Sequence, residues 1–364
     1  MIMRTFSSVF QILIVLFLPS FCKADGEFKI GFTLPLSGPF AEFGHAVVNS
    51  IALAKEENPE LFKKIVILPE DDQYSAKNTV TAFQKLKDVD SANLVMVWGN
   101  EPALAVAPLA ENIHFPILAF GQTPAIAAGR KSVVRILGPA AHFGKPIGKY
   151  LNSKNAQNIQ LIILENTFYK LVADNIKSEL TPATTFNTIA SVPASESDFR
   201  TYLLKLKKTP TDYLGVVLAP SQLLSFFKQA NELGITNPIF GSTSFESEAV
   251  VKQARQLMNG AVYAHVDVNS DWHQKYLKRF GDDIQVSYAA VAFDTLISIA
   301  KIIKAKETIT GQELIDQVAA LSEYSGAAGF SKGVSSAEHG RYLDYRVVLK
   351  KIENGEVKSV EQSE

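Results

Sequence analysis

Sulfur and one-sided charge are what this chain has least of. There is one cysteine, Cys22, in 364 residues, so no disulfide can form within the chain. Lys and Arg number 36 against 37 Asp and Glu, a balance that leaves no basic footprint for nucleic acid or an anionic membrane surface. The glycines Gly38 and Gly44 do not make the G-x-G-x-x-G of a dinucleotide site. There is no H-E-x-x-H and no P-loop, and no nucleophile–base pair is evident. The composition therefore gives no reason to expect an enzyme or a cofactor.

The N-terminus carries what the rest lacks, a long apolar run. Arg4, the stretch Val9 to Leu18, and small residues at Cys22 and Ala24 describe a secretory signal peptide over 1–24, cut after Ala24. The run is short for a membrane anchor and breaks at Pro19. A lipoprotein site at Cys22 is disfavoured by bulky Phe21. Cleavage leaves 340 residues with 34 basic and 37 acidic side chains and no cysteine. No further membrane-spanning segment is expected, so the mature chain reads as a soluble periplasmic protein. A chain of this size is stabilised by burial and divides into more than one domain.

The first ordered stretch is FKIGFTL, where Phe28, Ile30, Phe32 and Leu34 alternate with Lys29, Gly31 and Thr33. It reads as a strand with both faces covered. Pro35, Gly38 and Pro39 break it, and Ala41 to Glu57 follows as a helix. The same unit recurs. Strands are expected over Lys64–Asp72, Asn93–Trp98 and Phe115–Phe120, each opening onto polar or small residues, with helices between. Near Pro139 a second α/β series begins, with strands over 158–164, 184–192, 212–218 and 261–266. An apolar helix spans Tyr288 to Lys304, another Gly311 to Leu321, and Arg341 to Ile352 reads as a hairpin strand. Open parallel sheets place ligands beyond the carboxyl ends of their strands.

Three clusters invite a chemical reading. His265, Asp267, Asn269, Asp271 and His273 would share one face of a strand and could gather a metal, but Trp272 and Lys278 stand where a calcium loop needs Gly and Glu. A polar crossing between lobes accounts for them more simply, and no metal is assigned. Glu70, Asp71 and Asp72 could be catalytic carboxylates, or a solvated strand exit and helix cap. Phe40 and Phe43 in the first loop are either core or pocket walls.

The opening P-L-S-G-P-x-A-x-x-G, from Pro35 to Gly44, resembles the start of the Leu/Ile/Val-binding-protein-like family of type I periplasmic binding proteins. The resemblance continues along nearly the whole mature chain. It implies two Rossmann-like α/β lobes with parallel sheets joined by a three-strand hinge. It further implies a small polar or aromatic, amide-like solute captured between the lobes and an ABC permease in the inner membrane as partner. An alternative use of the fold is regulation of an envelope enzyme or sensor kinase. The implied lobes are 25–139 plus 271–326, and 140–270 plus 327–364, with crossings near Pro139, Val266 to Ser270 and Ala327 to Phe330.

Carried over by position, the resemblance implies a ligand carboxylate held by Asn100 to Ala103 and by Gly121, Gln122 and Thr123. It implies an aromatic wall at Phe43, and Phe168 or Tyr169 from the second lobe. The chain departs at Asn100-Glu101-Pro102, where the family has a serine-rich turn. It also departs at Ala219, where a second aromatic is usual, and at Thr243, where the family places the acid that holds an ammonium group. Glu246 is the available substitute. Ala292-Phe293-Asp294 lies close to a Tyr-Asp-Ala pattern of the family. The departures imply that branched-chain amino acids are not the ligand. They point to a larger, neutral or cationic, partly aromatic solute.

Overall fold

A computed structural model describes residues 26–246, 253–254, 258–281, 285–306 and 308–360. The signal peptide over 1–24, with Cys22, lies outside the described residues.

Two sheets organise the chain. The first contains the parallel strands β1 (Phe28–Leu34), β2 (Ile65–Asp71), β3 (Leu94–Trp98), β4 (Ile117–Phe120) and β5 (Val133–Arg135) in the spatial order β2-β1-β3-β4-β5. The second contains β6 (Asn158–Leu164), β7 (Thr185–Val192), β8 (Tyr213–Val217), β9 (Ile239–Gly241) and β10 (Val262–Val266) in the order β7-β6-β8-β9-β10. In both, the strand order reverses beside the first strand. The loops there diverge to opposite faces and leave a crevice at the carboxyl edge.

The tail assigned from residue 327 onward to the second lobe is divided instead. β11 (Tyr324–Gly326), β12 (Gly329–Ser336) and β13 (Gly340–Tyr345) extend the first sheet, with β13 parallel to β5 through Tyr342 and Arg135. Only β14 (Val347–Glu353) and β15 (Glu356–Ser359) join the second sheet, β14 antiparallel to β10. The third crossing is thus at Arg346. Its amide donates to Phe330 O at 3.1 Å and its carbonyl accepts from Asp267 N at 2.9 Å. Asn269 N also donates to Ala327 O, at 2.8 Å, so the 267–269 and 326–330 segments are tied to that crossing. Asp294 accepts from the amides of Ala327 and Ala328, each at 2.8 Å, and fixes the turn.

The helix Val286–Ala305, expected over Tyr288 to Lys304, is 20 residues long and apolar enough to cross a bilayer on length and composition, although no further segment of that length was expected. It is mostly buried, packing against Ala41–Glu57, and its Ala289 carbonyl accepts from Ser50 Oγ at 2.5 Å. An all-round apolar surface here reflects a core helix. A helix at Ser270–Phe280, unexpected from sequence, packs on the same first-lobe helix through Arg279–Glu56 and Lys275–Glu57 pairs. Asn269 caps it, its side chain accepting from Asp271 N and Trp272 N. The His265–His273 run is therefore a strand end, a turn and a helix start. Among the described residues no three His, Cys, Asp or Glu side chains gather in metal-binding fashion.

Candidate functional site

The two carboxyl edges face each other across a narrow cleft that holds about 20 Å³ of free space. From the first lobe it is walled by Phe40 and Phe43 after β1, Tyr74 after β2, Trp98 at the end of β3 with Gly99 and Asn100 after it, and Phe120 at the end of β4 with Gln122 after it. The second lobe adds Asn166, Phe168 and Tyr169 after β6 and Thr243 after β9, and Tyr288 enters from the long helix.

The first wall follows from the opening turn. Asp71, at the end of β2, accepts from Leu36 N at 2.9 Å and Ser37 Oγ at 2.6 Å, pinning the Ser-Gly-Pro loop. Gly44 lets the helix sit on that loop, since a Cβ there would lie 2.1 Å from Pro35 O. Asp72 turns inward to Tyr74 N and the Thr79 hydroxyl, both at 2.9 Å, and burial raises its pKa to about 6. Glu70 pairs with Lys85. These three carboxylates shape loops and are not gathered around the cleft.

The walls are mostly rings. Phe43 stacks on Trp98 with centroids 4.7 Å apart, Tyr288 meets Phe43 edge-on at 5.2 Å, and Phe40 lies 4.3 Å from Tyr74. Gly99 makes room for this packing, because its φ is +98° and a Cβ would fall 2.2 Å from the Tyr74 ring. The rings touch one another, so a solute must part them.

Polar atoms around the cleft are paired among themselves. Asn100 Oδ1 accepts from the amides of Gln122 at 2.9 Å and Thr123 at 3.0 Å, and its Nδ2 donates to Gln122 Oε1 at 3.2 Å. Gln122 Nε2 donates to the Tyr288 hydroxyl at 3.4 Å, which donates to Thr243 Oγ1 at 3.5 Å. Burial raises the Tyr288 pKa to about 12, so the hydroxyl stays protonated. The Tyr169 and Ser244 hydroxyls are 2.6 Å apart. Among the described residues, the buried indole N–H of Trp98, a wall residue, has no partner.

Glu101 bridges the lobes. Its carboxylate accepts from Thr167 N at 2.7 Å and Asn166 Nδ2 at 3.2 Å in the second lobe, and from the Tyr74 hydroxyl in the first. A carboxylate at the start of the helix Thr167–Glu179 is favoured by that helix's dipole.

Of the residues singled out from sequence, Phe43, Asn100, Gln122, Phe168, Tyr169 and Thr243 line the cleft. Glu101 sits beside it as the bridge just described. Gly121, Thr123, Ala219 and Glu246 are not on its wall. Ala219 is instead the buried N-cap residue of the helix Pro220–Glu232, so its small side chain adds no space to the cleft.

Glu246 is committed elsewhere. It accepts from Lys350 Nζ at 2.6 Å, Ser287 Oγ at 2.9 Å, Ser287 N at 3.1 Å and the Tyr263 hydroxyl at 3.3 Å. Burial pushes its pKa up, but the charges of Lys350 and His265 and these bonds outweigh it and hold the carboxyl at about 2. It cannot swing out to a ligand without stranding Lys350. Sequence reasoning missed Tyr74, Trp98, Phe120, Asn166 and Tyr288 as wall residues. Their signal was position, since each lies at a strand's carboxyl end, in the loop beyond it or at a helix start.

The run Gly329-Phe330-Ser331-Lys332-Gly333 carries G-x-S-x-G spacing, a motif the sequence reading overlooked. It lies within β12, where Ser331 is buried and in register with Tyr324 and Tyr345 on the flanking strands. A nucleophile elbow needs a strand-to-helix turn, so the spacing is incidental.

The fold matches solved solute-binding proteins. One from Rhodopseudomonas palustris BisB5, in complex with 3,4-dihydroxybenzoic acid, is 21% identical with a TM-score of 0.81, covering 93% of this chain and 96% of that one. A second from R. palustris, in complex with benzoate, has a TM-score of 0.82 at 16% identity, covering 92% and 96%. The branched-chain amino acid transporter substrate-binding protein LivJ of Streptococcus pneumoniae, in complex with isoleucine, has a TM-score of 0.79 at 20% identity, covering 92% and 99%. A search of curated protein sequences finds no match. The sequence pattern of the family described as "Periplasmic binding protein" matches residues 27–354, and together with the two facing sheets and the cleft between them this shows that the chain belongs to the periplasmic binding protein family.

Proposed function

We propose that this protein is exported through its N-terminal signal peptide and captures a small solute between its lobes for an ABC importer. Its ligand would be neither a free branched-chain amino acid nor an aromatic carboxylate. The unpartnered Trp98 indole N–H on an aromatic cleft wall carries the capture reading. A buried donor left unmade costs about 1–3 kcal/mol, and a solute acceptor atom relieves that cost. The Asn100 carboxamide, which occupies the Gln122 and Thr123 amides, argues against a carboxylate. The commitment of Glu246 to Lys350 leaves an ammonium group without the acid that the family's amino-acid binders use.

Native mass spectrometry of gently purified protein tests capture, and calorimetry with leucine, isoleucine, valine and benzoate tests the class. A co-purifying small molecule, and no binding by those four, is the expected result. A micromolar dissociation constant for any of the four defeats the ligand class. Complete absence of bound solute across growth conditions, with no stabilisation by any metabolite pool, defeats the capture reading.

A further inference from the structure

We infer that the cleft is built for a methylated ammonium cation carrying an oxygen acceptor, an inference that rests on the solute-capture reading. Three observations converge. First, the wall is made of the rings of Phe40, Phe43, Tyr74, Trp98, Phe168 and Tyr288, packed on one another, and a solute that parts them meets ring faces, whose negative potential attracts a cation. Such an environment favours a weakly hydrated quaternary or methylated ammonium over a bare ammonium ion, which needs hydrogen-bond acceptors when it leaves water.

Second, the charge balance at the wall has one sign. Among the described residues no Lys, Arg or His lines the cleft. The carboxylate of Glu101 is bonded to the hydroxyl of Tyr74, itself a wall residue. An anion entering here meets no counter-charge, and the two backbone amides best placed to receive it already donate to Asn100 Oδ1. An unpaired buried charge costs several kcal/mol, so the asymmetry excludes anions and admits cations.

Third, the wall retains one free donor. The Trp98 Nε1–H has no partner, whereas the Tyr169, Tyr288 and Asn166 donors are engaged. A ligand that is only a cation would leave this indole unsatisfied. A cation bearing a hydroxyl, ether or ester oxygen satisfies both the rings and the indole. The ligand class is thus read from the pairing of an aromatic enclosure with a single hydrogen-bond donor.

The test uses two molecules of the same shape. Choline and 3,3-dimethylbutan-1-ol share size and hydroxyl and differ in carrying N⁺ or neutral carbon. Calorimetry on the full mature protein should show choline binding at least tenfold more tightly than its neutral isostere. Phe43→Leu keeps apolar volume but removes one ring face. It should weaken choline at least fivefold and leave the neutral isostere within twofold. Equal affinity for the two probes in the unmodified protein overturns the cation inference and leaves solute capture standing. No choline binding at millimolar concentration overturns it too, and a co-purified anionic solute overturns it independently. The comparison in the unmodified protein decides the matter even if Phe43→Leu does not fold.

Discussion

Replacing Asn100 by alanine should convert the cleft from one that rejects carboxylates to one that accepts them. The side-chain oxygen of Asn100 receives the amides of Gln122 and Thr123 at 2.9 and 3.0 Å in a buried setting. Truncation strands both donors, each at a cost of about 1–3 kcal/mol. The vacated volume adjoins the cleft, so water can enter and pair with both amides. That places the expected loss near the lower end, about 2 kcal/mol, readable in urea unfolding of the ligand-free protein. A carboxylate offered to the variant would accept two charge-assisted bonds, each contributing about 1.5–3 kcal/mol, against repulsion from Glu101. The net expectation is benzoate affinity at least tenfold above the unmodified protein, about 1.4 kcal/mol. Calorimetry with benzoate and benzyl alcohol isolates the effect, because the alcohol should gain nothing. An Asn100→Ala protein of unchanged stability and unchanged indifference to benzoate would refute the argument that this side chain blocks an anion site.

The remaining predictions concern the lobes and their ionisable groups. Glu101→Ala removes the acceptor of Thr167 N and Asn166 Nδ2 and should raise the ligand-free radius of gyration in small-angle scattering; an unchanged radius would mean the bridge does not hold the cleft shut. Glu246→Gln leaves Lys350 buried and uncompensated and should cost about 3–5 kcal/mol, whereas Glu246→Leu with Lys350→Met should recover most of it. If the double variant is no better than the single one in urea unfolding, the pair's charge balance is not what stabilises this region. Burial raises the carboxyls of Asp72 and Asp294 to about 6 from their ordinary 3.8. Between those values the folded protein binds more protons than the unfolded chain, so stability rises as pH falls through 6. Integrating the two titrations gives about 1 kcal/mol per group between pH 7 and 5. The Asp72→Asn, Asp294→Asn double variant should lose that rise, and a persisting rise of the same size would assign it to other groups.

Much of this protein was legible in its residues because the relevant signals are local. Alternation over Phe28–Leu34, the Ser-Gly-Pro turn after it and the apolar stripe of the following helix fix a βα unit whatever surrounds them. Its recurrence implies parallel sheets with loops gathered at one edge. Phe43 could be placed near a ligand on that basis, and Asn100, Gln122 and Tyr169 by what the family resemblance implied. What the tertiary structure alone decided is which partner each polar group takes. Arg341 to Ile352 reads as one strand in sequence, yet the chain changes sheets at Arg346, because a strand pattern records facing and not which sheet receives the strand. Glu246 looked available in sequence, but Lys350, 104 positions away, claims it. The Asn100 side chain folds back on amides 22 and 23 residues downstream and occupies donors that the family resemblance implied for a ligand carboxylate. Such pairings depend on distances of a few ångströms between segments far apart along the chain. No local pattern of residue types encodes those distances, and in this cleft they separate one ligand chemistry from another.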